Sequence, residues 1–89
     1  MSDLCQWLVV GNKRGVHGRV ATRLAEIASD YAVQVRIRRG EQWVDGSSIL
    51  DVLALALVEG TEIQLAVAGE RAGEALAAAT SLLAAQDDP

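Results

Sequence analysis

The sequence has few of the residues that form disulfide frameworks and metal centres. Its 89 residues include one cysteine, Cys5, one histidine, His17, one proline and no phenylalanine. A lone cysteine excludes an internal disulfide, and its position in an apolar run predicts a buried, inert thiol. A lone histidine with no carboxylate or thiol near it in sequence does not make a metal site, so no metal or other cofactor is predicted. No serine lies on a Gly-x-Ser-x-Gly elbow, which excludes that kind of hydrolase.

Long hydrophobic runs are also absent, and this predicts no membrane span. The first residues, Met1-Ser2-Asp3, lack the basic region of a secretion signal. Together with the single cysteine, this predicts a cytoplasmic protein. With 51% apolar residues and this length, the chain is expected to form one domain over residues 1–89, of which the polar tail at 86–89 frays.

Basic residues are outnumbered, 8 against 12 acidic ones, which gives a formal net charge of −4 and a sequence pI of about 4.7. Such a charge disfavours nucleic acid and anionic membranes as partners. The basic residues are nevertheless concentrated. Residues 10–25 contain no acid and carry a local charge of +4 from Lys13, Arg14, Arg19 and Arg23, so the rest of the chain carries −8. His17 lies in the middle of this basic segment.

Hydrophobic periodicity predicts the element order β-α-β-β-α-β-α. Short apolar or alternating runs indicate strands, and apolar residues spaced three and four apart indicate helices. The strands are predicted near residues 4–10, 33–38, 42–45 and 63–67, and the helices near 20–31, from 49 into an apolar stretch that ends at 58, and near 72–83. Helices between strands predict the α+β class, as a two-layer domain with helices on one face of a mainly antiparallel sheet.

The pattern leaves two questions of burial unresolved, one in the first strand and one in the second helix. The inward face of the first strand is either Leu4, Leu8 and Val10 or Cys5, Trp7 and Val9. The second helix has more apolar positions than a core stripe needs. The stripe is predicted as Ile49, Val52, Leu53 and Ala56, which leaves Leu50, Ala54 and Leu57 outside it. These extra positions indicate either an interface or deep burial, and Leu50 is the best candidate for exposure.

His17 lies at or just before the first turn of the first predicted helix. The first amides of a helix have no internal partner and lie at the positive end of its dipole, so they bind anions such as phosphate. Gly18 allows the backbone to approach a ligand closely, and Arg19 can pair with phosphate oxygens. Because a neutral imidazole nitrogen is a nucleophile, this arrangement suits reversible phosphoryl acceptance on His17. The alternative is that His17 caps a turn and the basic residues solvate a helix face.

Two segments carry a family resemblance. Residues 15–21, Gly-Val-His-Gly-Arg-Val-Ala, closely resemble the Gly-Leu-His-x-Arg-Pro-Ala motif of the HPr family, the histidine-containing phosphocarriers of the phosphoenolpyruvate:sugar phosphotransferase system. Residues 48–53, followed by 59–63, resemble the family's Ser-Ile-Met-x-Val-Met and Lys-Gly-x-x-Ile. The likeness covers roughly residues 4–83, where 68–70 and 74–76 also resemble the family. It implies an open-faced β-sandwich whose four antiparallel strands have the order 1-4-2-3, with three helices on one face.

The resemblance also implies roles for individual residues. His17 would accept a phosphoryl group on Nδ1 from enzyme I and pass it to an enzyme IIA-type acceptor, as a carrier rather than a free-standing enzyme. Gly18 and Arg19 would bind the phosphoryl group. Ser48 matches the regulatory serine that HPr kinase/phosphorylase modifies. The partner-binding residues would be Arg23, Ile49, Leu50 and Leu53.

Three positions depart from the family pattern: Val20 replaces the motif proline, Gly18 stands where alanine, threonine or serine is usual, and Ser47 stands where many members have lysine. The alternative function is therefore a regulatory binding module that signals through phosphorylation of His17 or Ser48 without sugar transport.

Nucleic-acid binding through the basic segment, Arg36 and Arg38 is disfavoured by the low pI and by the presence of only three aromatic residues.

Overall fold

The computed structural model describes residues 3–87. A four-stranded antiparallel sheet in the order β1-β4-β2-β3 forms one layer, and three helices cover one of its faces. The strands are β1 (Leu4–Val9), β2 (Gln34–Arg39), β3 (Gln42–Asp45) and β4 (Glu62–Ala68), and the helices are α1 (Gly18–Asp30), α2 (Ile49–Ala54) and α3 (Ala72–Ala84). The predicted open-faced sandwich, element order and strand order are confirmed.

The two central strands, β2 and β4, separate the faces of the sheet. Val35 and Ile37 of β2, with Ile63, Leu65 and Val67 of β4, are fully buried beneath the helices. Successive side chains of a strand point to opposite faces, so Arg36 and Arg38 lie on the face without helices. This is the alternation that the sequence predicts.

Pairing with β4 settles the inward face of β1. Leu8 lies opposite the buried Ile63, and residues directly opposite each other in an antiparallel pair share a face. Cys5, Trp7 and Val9 therefore lie on the open face. Cys5 is exposed, so the predicted buried thiol is wrong: an apolar run in an edge strand does not imply that both of its faces are covered.

The helices close the core from the other side. Val20, Leu24 and Ile27 of α1 pack with Ala75, Ala79 and Leu83 of α3, and α1 also packs against α2. The predicted α1 stripe is confirmed up to Ala28, and Tyr31, the last residue of the predicted stripe, is the half-buried C-cap. In α3 the buried residue between Ala72 and Ala79 is Ala75 rather than the predicted Leu76, which is half-buried.

Helix α2 is shorter than its apolar stretch predicts. It ends at Ala54, whereas the apolar residues continue to Val58. Ala56 then adopts a left-handed conformation, with φ of 55°, which turns the chain inward. Leu57 is consequently buried and Ala56 exposed, so the predicted stripe is wrong at both positions. Arg39 stabilises this end, since its Nη1 donates to the carbonyls of Leu55 at 2.6 Å and Ala56 at 3.0 Å. Cationic donors at a helix C-terminus satisfy carbonyls that lack internal partners.

The end of the chain follows α3. Gln86 and Asp87 lie beyond the helix and are exposed, and the carbonyl of Gln86 accepts a hydrogen bond from the amide of Lys13 at 3.2 Å. Of the tail predicted to fray, residues 88 and 89 lie outside the described part of the chain. No helix within residues 3–87 is long and apolar enough to cross a membrane.

Candidate functional site

His17 is the N-cap of α1. Its backbone is extended, with φ of −95° and ψ of −173°, and its carbonyl accepts the first helical hydrogen bond, from the amide of Ala21 at 2.9 Å. Its imidazole Nδ1 accepts a hydrogen bond from the amide of Arg19 at 3.2 Å. A histidine nitrogen therefore takes the place that a serine or aspartate oxygen usually has at a helix start. An Nδ1 that accepts from an N–H carries a lone pair and no proton.

The surroundings of this helix end are positive. Helix α1 has thirteen residues and no acidic residue in its first turn. The amides of the first turn lack helical acceptors, and the helix dipole adds partial positive charge. Nδ1 thus lies where an attached anion would meet backbone donors. Within residues 3–87, no three His, Cys, Asp or Glu side chains are grouped to hold a metal ion.

The loop before His17 is held by the segment after α2. The amide of Val16 donates to the carbonyl of Leu57 at 2.8 Å, and the amide of Gly15 donates to the carbonyl of Asn12 at 2.9 Å. Gly15 has φ of +72°, and a Cβ there would lie 2.6 Å from the Leu57 carbonyl oxygen. Glycine is therefore required both by the backbone conformation and by the close approach of the two segments.

Asn12 joins the same loop to the end of α3. Its side chain is fully buried, and Nδ2 donates to the carbonyls of Leu82 at 3.0 Å and Ala85 at 2.8 Å. The amide of Gly11 adds a bond to the carbonyl of Leu83 at 2.9 Å. The sequence does not predict this role. A Gly-Asn pair does not show which distant carbonyls its side chain and amide will bind.

The basic residues differ in their partners. Arg19 and Arg23 lie on the exposed side of α1 and line a shallow depression together with Gly18, Thr22 and Glu26. Arg23 forms exposed ion pairs with Glu26 at 3.5 Å and with Asp30 at 3.7 Å. These acids lie toward the C-terminal end of α1, so part of the Arg23 charge is offset away from His17.

The predicted regulatory and docking residues lie on α2. Ser48 is its N-cap, and its Oγ accepts from the amide of Asp51 at 3.4 Å. Leu50 is 79% exposed, whereas Ile49 and Leu53 are half-buried against the core. The expectation that Leu50 is exposed is confirmed. Helix α2 packs against α1, and the segment that follows α2 binds Val16. Helix α2 and this segment therefore lie beside the His17 loop.

An imidazole nitrogen at the start of a helix, on an open-faced sandwich with this strand order, is the arrangement expected of the class of histidine phosphocarriers. The model of a known family, described as the PTS HPr component phosphorylation site, matches residues 5–85. The chain therefore belongs to the HPr family, and it is a phosphocarrier of the phosphotransferase system, of the HPr or NPr type. Membership of this family implies enzyme I and an enzyme IIA as partners.

Curated relatives and solved structures agree with this assignment. The chain is 40% identical over 77 residues to phosphocarrier protein HPr of Pseudomonas aeruginosa, covering 85% of this chain and 86% of the relative. It is 35% identical over 88 residues to phosphocarrier protein NPr of Shewanella violacea, covering 99% and 97%. The crystal structure of an HPr from Bacillus anthracis matches with a TM-score of 0.84 at 25% identity, covering 91% of this chain and 96% of that chain. The resemblance stated from the sequence is confirmed.

Proposed function

We propose that His17 is the residue that carries the phosphoryl group, accepting it on Nδ1 from phospho-enzyme I and passing it to an enzyme IIA. The observation that supports this proposal is the hydrogen bond from the Arg19 amide to Nδ1 at 3.2 Å. It keeps a lone pair on Nδ1 and places that atom at the positive end of a thirteen-residue helix. Histidine nitrogens form covalent intermediates of this kind.

The transfer step forms one bond and breaks one. The Nδ1 lone pair attacks phosphorus, while the bond between phosphorus and the donor's leaving atom breaks and its electron pair stays with the donor. The Arg19 amide then exchanges Nδ1 for a phosphoryl oxygen as its acceptor. In the second transfer a nucleophile of the acceptor attacks phosphorus and forms a new bond to it, while the Nδ1–P bond breaks and its electron pair returns to Nδ1. Amides fixed at a helix start stabilise the charge without reorganising, as catalytic donors do elsewhere.

Arg19 is proposed to stabilise the phosphoryl oxygens with its guanidinium, beside a Gly18 that leaves the approach open. A Cβ at Gly18 would meet no atom within 4 Å, so this corner is uncrowded. Arg19 is exposed on the first turn of α1. A guanidinium presents planar donors that match two phosphoryl oxygens at once.

Replacing Arg19 with alanine is expected to slow phosphoryl transfer about 100-fold, the scale of losing one charge-stabilising donor. The backbone amide that binds Nδ1 remains, so the fold and the capping bond persist, and the free energy of unfolding should change by less than about 0.5 kcal/mol. Labelling with phosphoenolpyruvate and enzyme I, quenched at successive times, measures the rate of phosphoryl transfer. Arg19→Lys, which keeps the charge but loses the planar fork, should give an intermediate rate. An unchanged rate in Arg19→Ala would remove Arg19 from the mechanism.

The proposed docking surface for both partners contains Leu50, Ile49, Leu53 and Arg23. Leu50, at 79% exposure, supplies most of its apolar area, and exposed apolar side chains beside a reactive group are typical of transient interfaces. Arg23 adds a cation at its edge. We also propose a cytoplasmic location, without nucleic-acid or membrane partners.

The assignment is tested by incubating the protein with labelled phosphoenolpyruvate and enzyme I. The expected product carries one phosphoryl group whose bond is labile in acid and stable in alkali, as a phosphoramidate is. A protein that takes no label, or takes one that survives acid, would contradict the proposal.

The second candidate function is regulation through Ser48. Its Oγ already accepts from an amide at the start of α2, so a phosphate there would add charge at this helix end and beside Leu50. We propose HPr kinase/phosphorylase as the class of partner, with Ser47 preceding the acceptor. Incubation with such a kinase and ATP would yield an acid-stable phosphoserine, which Ser48→Ala would lose. The stability of the label in acid separates the two modifications.

A further inference from the structure

The open face of the sheet carries a cluster of two tryptophans and an arginine, Trp7, Arg38 and Trp43, called here the Trp–Arg–Trp cluster. Trp7 lies opposite Gln64, Gln64 opposite Arg38, and Arg38 opposite Trp43. The four residues therefore form one row across all four strands and point to the same face. Helices cover the other face, so this row lies on the layer opposite to α1 and His17.

The guanidinium of Arg38 lies between the two indole rings. Its Cζ is 5.1 Å from the centroid of Trp7 and 5.2 Å from that of Trp43, both within cation–π range. Its Nε is buried, and no residue within 3–87 accepts a hydrogen bond from it.

Arg38 differs from its neighbour Arg36 in its ion pairing. Arg36, whose Cζ is 5.1 Å from the Trp43 ring, pairs with the carboxylate of Asp3. Asp45, at the end of β3, accepts from the amide of Ser47 at 2.8 Å. Among the residues that the structure describes, no carboxylate pairs with Arg38. The face thus presents a cation between two aromatic rings, with which no carboxylate of the described residues is paired.

The tryptophans of the cluster are accessible, as is a neighbouring apolar side chain. Trp7 is 51% exposed and Trp43 37%, and Val9, next to Trp7 on the same face of β1, is 52% exposed. Two exposed indoles on one face of a small domain are an unusual apolar surface, and surfaces of this kind indicate binding sites. Tryptophan and arginine are also the residues that most often dominate the binding energy of interfaces.

We infer that the Trp–Arg–Trp cluster is a docking site for an apolar segment of a partner protein that carries one carboxylate side chain. The planar carboxylate would accept from the edge of the Arg38 guanidinium, while apolar groups beside it would contact Trp7 and Trp43. Arg–carboxylate pairs are commonly bidentate, and they strengthen when water is excluded. Here the two indole rings would exclude water from the pair. This site goes beyond the proposed phosphoryl transfer at His17 and does not depend on it.

Charge argues for one carboxylate rather than a polyanion. Arg36 is already paired with Asp3, and the whole chain carries a net charge of −4. A nucleic acid strand requires several cations along its backbone, whereas one carboxylate requires one. Because the cluster and His17 lie on opposite layers, such a partner could remain bound while His17 exchanges its phosphoryl group.

The test uses a phage-displayed library of random dodecapeptides, selected on the wild-type protein after depletion on the Arg38→Gln variant. The enriched peptides are expected to share an Asp or Glu between apolar residues. A synthetic peptide of the selected sequence should shift the indole Nε1–H resonances of Trp7 and Trp43. Its Kd should rise at least about tenfold when its acid is replaced by the amide, and likewise in Arg38→Gln.

Arg71→Gln is the matched control, since Arg71 also stacks on an aromatic ring, that of Tyr31 at 4.5 Å, but is paired with Glu74. It should leave the Kd unchanged. An unaltered amide NMR spectrum away from the cluster shows that Arg38→Gln is folded, and Arg38→Lys, which keeps the charge without the fork, should also bind more weakly. The inference would be overturned if no peptide were enriched on the wild type relative to Arg38→Gln, or if the enriched peptides lacked acidic residues. Preferential binding of oligothymidylate would overturn it as well. Phosphoryl labelling of His17 in the same variants reports on the proposed function separately.

Discussion

Replacing His17 with alanine is expected to abolish acceptance of the phosphoryl group from enzyme I. The imidazole supplies the nucleophilic Nδ1, and no other histidine is present in the chain to substitute for it. The loss should exceed about 1,000-fold, because removal of a covalent nucleophile leaves only positioning and charge effects. The measurement is incorporation of label from phosphoenolpyruvate in the presence of enzyme I.

Stability provides the control for this variant. His17 also caps α1 through Nδ1, and loss of an N-cap costs about 1 kcal/mol. His17→Asn restores a side-chain acceptor at the cap without a nucleophilic nitrogen, so it should recover most of this stability and still take no label. Equal labelling of the wild type and both variants would show that the phosphoryl group is attached elsewhere.

Replacing Gly15 with alanine is expected to have the second large effect, on the fold and the site together. The residue has φ of +72°, and its Cβ would lie 2.6 Å from the Leu57 carbonyl oxygen, which also accepts from Val16. Left-handed strain and the clash together should lower the free energy of unfolding by about 3 kcal/mol. For a domain of this size, that corresponds to a fall in Tm of roughly 15 °C. Thermal unfolding followed by circular dichroism measures it.

Gly18→Ala is the matched control, three residues further along the same segment. A Cβ at Gly18 meets nothing within 4 Å, and Gly18 is the first residue of α1. Alanine there should raise stability by about 0.5 kcal/mol, since it restricts the unfolded chain and favours the helix. If both alanine variants changed Tm alike, the close approach of residues 15 and 57 would not be a determinant of the loop.

The geometry around His17 was largely predictable from sequence because its determinants are local. A helix start, the residue that caps it and the arginine two positions later all lie within three residues, so their relative placement follows from helix geometry alone. The observed Nδ1 bond to the Arg19 amide is of this local kind. The apolar stripe of α1 and the alternation of β2 were predictable for the same reason, since each depends on the period of one element.

Features that join distant segments were not predictable in the same way. Asn12 binds carbonyls 70 and 73 residues away, at Leu82 and Ala85, and Arg39 binds the carbonyls that end α2. Helical periodicity predicts Leu57 outside the core stripe. It is buried because Ala56 adopts a left-handed conformation beyond the helix. Side-chain type and spacing do not contain this information, because the partners meet only when the sheet and helices have packed.

The order of elements, the phosphocarrier motif and the position of His17 at the start of α1 follow from the residues alone, because each depends on local propensity and spacing. The packing of the elements sets which face of β1 points inward, where α2 ends and how the His17 loop is anchored. It also brought Trp7, Arg38 and Trp43 into one row, although they come from three strands. Strand pairing sets that juxtaposition, and pairing follows from how the core is buried as a whole.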